Sequence, residues 1–255
     1  MGVLYFVWTF WCFFITFLVY LFFLPLNLVL VFCLGQYGRD IFVRYHHYIG
    51  KILLFLYGMI KVVKGHFPIS NKQPCIYIAN HKSYLDVIII ASLVSQNIKY
   101  LGKAEVFKWP LFGFFAKYSG QIPVQREDKQ SRNKAYESMK QSLGEGFSIV
   151  LFPEGGWRNN GDENYPNPYG YETNSMLNPF RNGAFRLAIE TKVPIIPIAL
   201  LNAGEKFSSK TMRIIPGKLF VYVFDAIHVI GNEDPFKLNK KCYDMICEKL
   251  INKVL

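Results

Sequence analysis

Apolar positions follow two regimes along this chain. Across residues 3–34 they are nearly continuous, mostly Phe, Leu, Val, Tyr and Trp, and no Lys, Arg, Asp or Glu occurs anywhere in 2–38. From about residue 74 onward they come in short runs separated by polar, helix-patterned stretches. The runs at 75–79, 98–101, 121–124, 148–152, 195–200 and 219–229 read as strands, and helices are expected over 84–94, 129–143, 181–191 and 239–254. Strands alternating with helices predict an α/β sandwich around a mostly parallel or mixed central sheet. No repeat or linker interrupts it, and the length suffices for one domain with a substantial core.

The N-terminal run belongs in a bilayer. About 20 apolar residues cross a ~30 Å hydrocarbon layer, so this stretch is too long for one upright span. Pro25 and Asn27 within it suggest a kinked span or a two-helix hairpin that enters one leaflet. A signal peptide is disfavoured by the missing basic flank and the length. Arg39, Arg44, Lys51, Lys61 and Lys64 all follow the run, which places the rest of the chain on the cytosol-like side. In a eukaryote that means the endoplasmic reticulum, with a mitochondrial membrane as the alternative. A second apolar piece, 52–60, is too short to span and is expected in the interface or packed on the domain. The expected division is a membrane anchor over 1–38, a basic amphipathic juxtamembrane segment over 39–65 and the α/β domain over 66–255.

The candidate chemistry lies in Asn80-His81-Lys82-Ser83-Tyr84-Leu85-Asp86. On one regular helix, residues five apart point roughly 140° away from each other, so His81 and Asp86 can meet only if His81 precedes the helix in a turn. Ser83 is then the expected N-cap. In that layout Asp86 accepts from the Nδ1 side of the imidazole and fixes its tautomer, leaving the second nitrogen to take a proton from a hydroxyl. A purely structural account competes, because Ser83 and Asp86 are also spaced as a capping box.

Charge narrows the partners. Twenty-nine Lys and Arg against 18 Asp and Glu give the chain +11, which attracts anionic lipid headgroups and phosphates. Nucleic acid is disfavoured: no zinc-ligand spacing, recognition-helix pattern or basic-aromatic repeat is present. Cys12, Cys33, Cys75, Cys242 and Cys247 form no Cys-x-x-Cys pair and are expected to be reduced and structural. A Gly-x-Ser-x-Gly elbow, a His-Glu-x-x-His helix and a Walker lysine are all missing, and His46, His47, His66 and His228 are expected to be non-catalytic. The apolar stretch 109–118 fits an interfacial segment and core packing equally well.

Four blocks, in order, resemble the glycerolipid acyltransferases, whose best-known members are the lysophosphatidic acid acyltransferases. His81 and Asp86 match that family's His-x-x-x-x-Asp signature. Gly120-Gln121-Ile122-Pro123-Val124-Gln125-Arg126, preceded by Lys103 and Glu105, is similar to its second block. Phe152-Pro153-Glu154-Gly155 is similar to the third and Val193-Pro194-Ile195-Ile196-Pro197-Ile198 to the fourth. The third block departs from the usual Phe-Pro-Glu-Gly-Thr-Arg-Ser: Gly156, Trp157 and Arg158 follow Gly155, so the threonine is gone and the arginine comes one position late. On a strand that shift would turn the guanidinium to the other face. A longer segment than the family's then leads to Pro179-Phe180-Arg181-Asn182-Gly183-Ala184-Phe185. It holds Asp162, Glu163, Tyr165, Tyr169, Tyr171 and Glu172 with no Lys or Arg, and reads as a solvated loop or as a lid or docking surface.

The resemblance implies an acyltransferase-type sandwich with an N-terminal membrane-embedded helical segment. It also implies an enzyme that moves a fatty acyl group from acyl-CoA, or from an acyl-carrier-protein thioester, to a lysophospholipid hydroxyl, most simply 1-acylglycerol-3-phosphate giving phosphatidic acid. His81 and Asp86 would be catalytic. Lys103 and Arg126 would bind the acceptor phosphate, with Glu154, Gly155 and Arg158 at the acceptor pocket. No cofactor or metal is implied beyond acyl-CoA as co-substrate. Two alternatives share these residues: a transacylase that draws acyl chains from phospholipid, and an acyltransferase-fold subunit of a membrane complex docked through 159–178 and the N-terminal segment.

Overall fold

The computed structural model describes residues 2–65, 73–109, 112–156, 176–208 and 211–252. In chain order the elements are α1 (Gly2–Phe32), α2 (Gly35–Leu56), β1 (Met59–Gly65), β2 (Ile76–Ala79), α3 (Leu85–Leu93), β3 (Ile98–Lys103), α4 (Phe112–Tyr118), β4 (Ile122–Val124), α5 (Lys129–Gly144), β5 (Ser148–Leu151), α6 (Gly183–Thr191), β6 (Ile195–Leu200), α7 (Ala203–Lys206), β7 (Phe207–Ser208), β8 (Arg213–Ile214), β9 (Gly217–Val223) and α8 (Pro235–Asn252). A 3-10 turn, Ala104–Lys108, follows β3.

Seven strands form the central sheet in the order β1-β9-β6-β2-β5-β3-β4. Strands β6, β2, β5, β3 and β4 are mutually parallel, β9 is antiparallel to β6, and β1 is parallel to β9. Every residue of β2, β5 and β6 is buried, as unbroken apolar runs require of strands covered on both faces. The chain crosses from β2 to β3 through α3, then returns from β4 to β5 through α5 and from β5 to β6 through α6. Right-handed crossovers running in opposite directions put α3 on one face and α5 and α6 on the other. The direction reverses between the neighbours β2 and β5, so their carboxyl ends open a crevice where ligands of open α/β sheets bind.

Three expectations change. The hairpin is not contained in 1–38: α1 continues through Pro25, and its second arm is α2, which runs back along it. The contacts Phe23–Tyr45 and Tyr20–His46 and the 2.5 Å hydrogen bond between Thr16 and Tyr57 mark that antiparallel path. Residues 59–65, expected in the segment 39–65, instead belong to the sheet of the domain; they pair with β9, Met59 opposite Gly217 through Gly65 opposite Val223. Sequence alone missed this edge strand because its alternation is weak, one buried residue followed by partly buried and exposed ones. The strand expected over 219–229 ends at Val223, leaving Ile227 with a single bridge to Ile195.

Helix α1 is attached to the domain along one stripe. Near its start Thr9 Oγ1 accepts from the Ile214 amide at 3.0 Å and Phe13 meets Phe207 edge-on. Further on, Tyr20 packs on Phe115, and Phe32 on Tyr118. The buried Phe115 thus puts α4 against the hairpin, while Trp109 and Phe112 beside it are exposed. Much of the remaining surface of α1, including Phe6, Phe10, Phe17 and Phe22, is also exposed. Among the described residues this is the one helix long and apolar enough to cross a membrane.

Helix α2 seats α3. A Cβ on Gly50 would stand 3.1 Å from the Ser92 nitrogen and 3.2 Å from the Ile88 oxygen, so the two backbones approach as closely as glycine permits. The last carbonyls of α3 receive donors from two sides: His47 Nδ1 lies 3.0 Å from the Ala91 oxygen, and Lys61 Nζ donates to the Ser92 oxygen at 2.8 Å and to Ser92 Oγ at 2.7 Å. These groups complete the helix end that carries the negative pole. Burial, helped by the nearby Lys51 charge, pulls the Lys61 ammonium down from 10.5 to about 8. Between those values the unfolded chain holds a proton that the folded protein has released, so folding gains stability as pH rises through that window. Thermal unfolding of wild type and Lys61→Met between pH 8 and 10 should show wild type gaining on the variant as pH rises. A difference independent of pH would contradict this.

Candidate functional site

The site begins where β2 ends. Asn80 is buried and uses its amide as one more rung of the sheet: Nδ2 donates to the Leu200 oxygen at 2.9 Å, and Oδ1 accepts from the Leu200 amide at 2.8 Å. This clamp fixes the chain as it leaves the sheet, and His81 comes next. Asp86, fully buried in the first turn of α3, accepts three hydrogen bonds on one oxygen: from His81 Nδ1, the Lys82 amide and the Ser83 amide, each at 2.8 Å. The same carboxylate therefore reaches back to cap the turn and orients the imidazole. Capping of the turn and contact with the imidazole are therefore compatible in one carboxylate. Ser83, the expected N-cap, lies outside the first helical turn; its Oγ accepts from the Leu85 amide and donates to the Phe207 oxygen.

Strand β5 delivers the other half. Phe152 stacks on the His81 ring with centroids 4.0 Å apart and planes 17° apart. The Glu154 carboxyl, expected at the acceptor pocket, is fully buried and faces the histidine turn. It accepts from the His81 amide at 2.7 Å and from the Asn178 amide at 3.0 Å, and lies 3.4 Å from Lys82 Nζ. Burial pushes its pKa above the usual carboxylate range, while Lys82 and the two amides pull the other way. Glu154 thus ties the first block to the third. The resemblance gave its place in the chain, but only the fold shows which amides it faces.

The basic candidates converge on the same edge. Lys103 ends β3, half-exposed and 3.6 Å from Glu105. Arg126 follows β4, and its Nη1 lies over Gly156, where a Cβ would approach it to 2.5 Å. At Gly155 a Cβ would stand 2.5 Å from Nε of Arg181. Both glycines have positive φ, +75° and +142°, which L side chains avoid, so this turn has the shape it does because it is glycine. Arg158 and the acidic, Tyr-rich stretch 162–172 lie outside the described residues. Three contributors received no role from the sequence: Asn80, Phe152 and Arg181 each occur in a recognisable block, but their partners come from distant strands.

His46 and His47 face backbone carbonyls in α2 and α3, away from this crevice. The five cysteines are free, and no cluster of three His, Cys, Asp or Glu suited to a metal occurs among the described residues.

The family profile described as Acyltransferase matches residues 61–201, more than half of the chain. The chain belongs to the Acyltransferase family. It is 28% identical over 217 residues to the chloroplastic 1-acyl-sn-glycerol-3-phosphate acyltransferase BAT2 of Brassica napus, covering 83% of this chain and 55% of that one. It is 28% identical over 193 residues to the 1-acyl-sn-glycerol-3-phosphate acyltransferase of Haemophilus influenzae, covering 74% of each. The crystal structure of the 1-acyl-sn-glycerophosphate (LPA) acyltransferase PlsC from Thermotoga maritima superposes with a TM-score of 0.80 at 19% identity, over 98% of this chain and 96% of that one. The fold is therefore the α/β acyltransferase fold with a mostly parallel sheet. The chain spans about half the length of several curated relatives it matches.

For this acyltransferase-family chain the buried Glu154 generates a direct test. Glu154→Gln keeps the shape, but its amide nitrogen must face either the His81 or the Asn178 N–H, leaving one donor unsatisfied. The expected result is a fall in kcat on the order of tenfold or more with both substrate KM values nearly unchanged. A rise in acceptor KM alone would return Glu154 to the acceptor pocket.

Proposed function

We propose that this protein is a membrane-bound O-acyltransferase that transfers a fatty acyl group from acyl-CoA to the free hydroxyl of 1-acylglycerol-3-phosphate, forming phosphatidic acid. The observation that carries the proposal is the 2.8 Å contact between His81 Nδ1 and Asp86, seated in the crevice between β2 and β5. The names of the relatives supply the acceptor. With Nδ1–H directed at the carboxylate, proton transfer falls to Nε2. The acceptor hydroxyl gives its proton to Nε2 as its oxygen attacks the thioester carbonyl. The tetrahedral oxyanion collapses, the C–S bond breaks, and the imidazolium returns the proton to the departing sulfur. Asp86 stabilises the imidazolium throughout. Phe152 covers one face of the ring, restricting it to the rotation that Asp86 selects. Lys103 and Arg126 supply positive charge for the acceptor phosphate at the same edge of the sheet.

The anchor fits such a substrate. Because α1 is attached to α2, α4 and β8 along its length, its exposed stripe can enter one leaflet while the docked stripe keeps the crevice near the membrane surface. The well-formed histidine–aspartate pair favours an enzyme over a purely structural subunit.

Acyl transfer by purified protein, with labelled acyl-CoA and a panel of lysophospholipids, tests the activity. His81→Ala should cost at least about 10²-fold in kcat while the fold is kept, as expected for a positioned general base. Near-normal transfer by a well-folded variant would sink the mechanism. For the anchor, Phe10→Glu with Phe17→Glu alters only the exposed stripe of α1 and should release the protein from neutral liposomes at high salt. Unchanged sedimentation would place the anchor elsewhere.

A further inference from the structure

The third block carries Gly156 and Trp157 where the family has threonine and arginine, yet two other guanidinium groups reach the same turn. A Cβ on Gly155 would stand 2.5, 3.1 and 3.2 Å from Nε, Cδ and Cζ of Arg181, and one on Gly156 would stand 2.5 Å from Nη1 of Arg126. The two arginines thus fill the space that side chains at consecutive positions would occupy. They come from different parts of the chain, one after β4 and one before α6.

The backbone under Arg181 is held firmly. Its amide donates to the Pro153 oxygen at 2.9 Å, inside the third block itself. The preceding Phe180 is fully buried and its oxygen accepts from Asn239 Nδ2 at 3.0 Å, while the Leu177 oxygen accepts from the Tyr243 hydroxyl at 3.1 Å. Between them, the Asn178 amide donates to Glu154, the carboxylate that also holds the His81 amide. Arg181 and the catalytic histidine are therefore referenced to one buried group. The Arg181 residue itself is exposed, and no carboxylate of a described residue pairs with it.

We propose that Arg181 is a specificity-determining residue that joins Arg126 in a two-guanidinium cradle for a phosphate monoester on the acceptor, in place of the third-block arginine. This rests on the acyl-transfer reading above. Two forks match a dianion with three terminal oxygens, whereas a phosphodiester carries one charge and offers fewer free oxygens. The cradle selects 1-acylglycerol-3-phosphate against lysolipids whose phosphate bears a second substituent.

Two measurements test this. In steady-state acyl transfer, Arg181→Met should raise the KM for lysophosphatidic acid roughly tenfold or more while changing the KM for lysophosphatidylcholine and for acyl-CoA less than about threefold. Arg181→Lys, which keeps the charge and loses the fork, should recover only part of the loss. Combining Arg181→Met with Arg126→Met should cost less than the product of the two single effects, since both act on one phosphate. Equal effects on both acceptors, or none, would overturn the proposal. The second measurement is calorimetric binding of lysophosphatidic acid and lysophosphatidylcholine to His81→Ala protein with and without Arg181→Met, which needs no turnover. Absence of transfer by wild type with every acceptor would defeat the acyl-transfer reading alone. Loss of selective monoester binding on Arg181→Met would still support the cradle, and its retention would defeat it.

Discussion

A single carboxylate oxygen organises the centre of this protein. Asp86 Oδ2 collects the imidazole N–H of His81 and the amides of Lys82 and Ser83. Fixing those amides sets the turn, the turn sets where the histidine stands, and the bond to Nδ1 sets the orientation and tautomer of the ring. A carboxylate buried at a helix start is stabilised by the amides and by the positive pole of the helix. The requirements of helix initiation and of orienting the imidazole thus coincide in one residue.

That arrangement holds only because both of its flanks are fixed. Asn80 locks the exit from β2 to the backbone of β6 through a two-way amide contact, and Glu154 reaches from the end of β5 to the His81 amide. Burying Glu154 is costly, and the structure offsets the cost with two amides and the Lys82 ammonium. Removing any of these partners leaves a buried polar group unmatched, so the first and third blocks stand or fall together.

The α1–α2 hairpin is part of the same construction. Gly50 lets α2 press against the backbone of α3, and His47 and Lys61 close the end of α3 farthest from Asp86. The helix that carries Asp86 therefore rests on the hairpin that includes the long apolar helix α1.

Periodicity was enough to reveal most of the sheet and four of the helices, because strands buried on both faces must be unbroken apolar runs. The spacing of His81 and Asp86 was enough to require a turn before a helix, since no regular helix can bring them together. Edge strand β1 escaped this reading: a strand with one neighbour and one exposed face has little apolar signal, and its partner β9 lies more than 150 residues away. Arg181 escaped for a related reason. Its guanidinium gains meaning only beside Gly155 and Arg126, which come from two other strand ends. The sequence by itself determined six of the seven strands of the central sheet, four of the helices and the long apolar N-terminal surface, because those are local consequences of side-chain pattern. Only the tertiary structure decided that Glu154 serves the histidine turn and that two arginines share one glycine turn, because such contacts depend on the order of strands in the sheet, which no local pattern encodes.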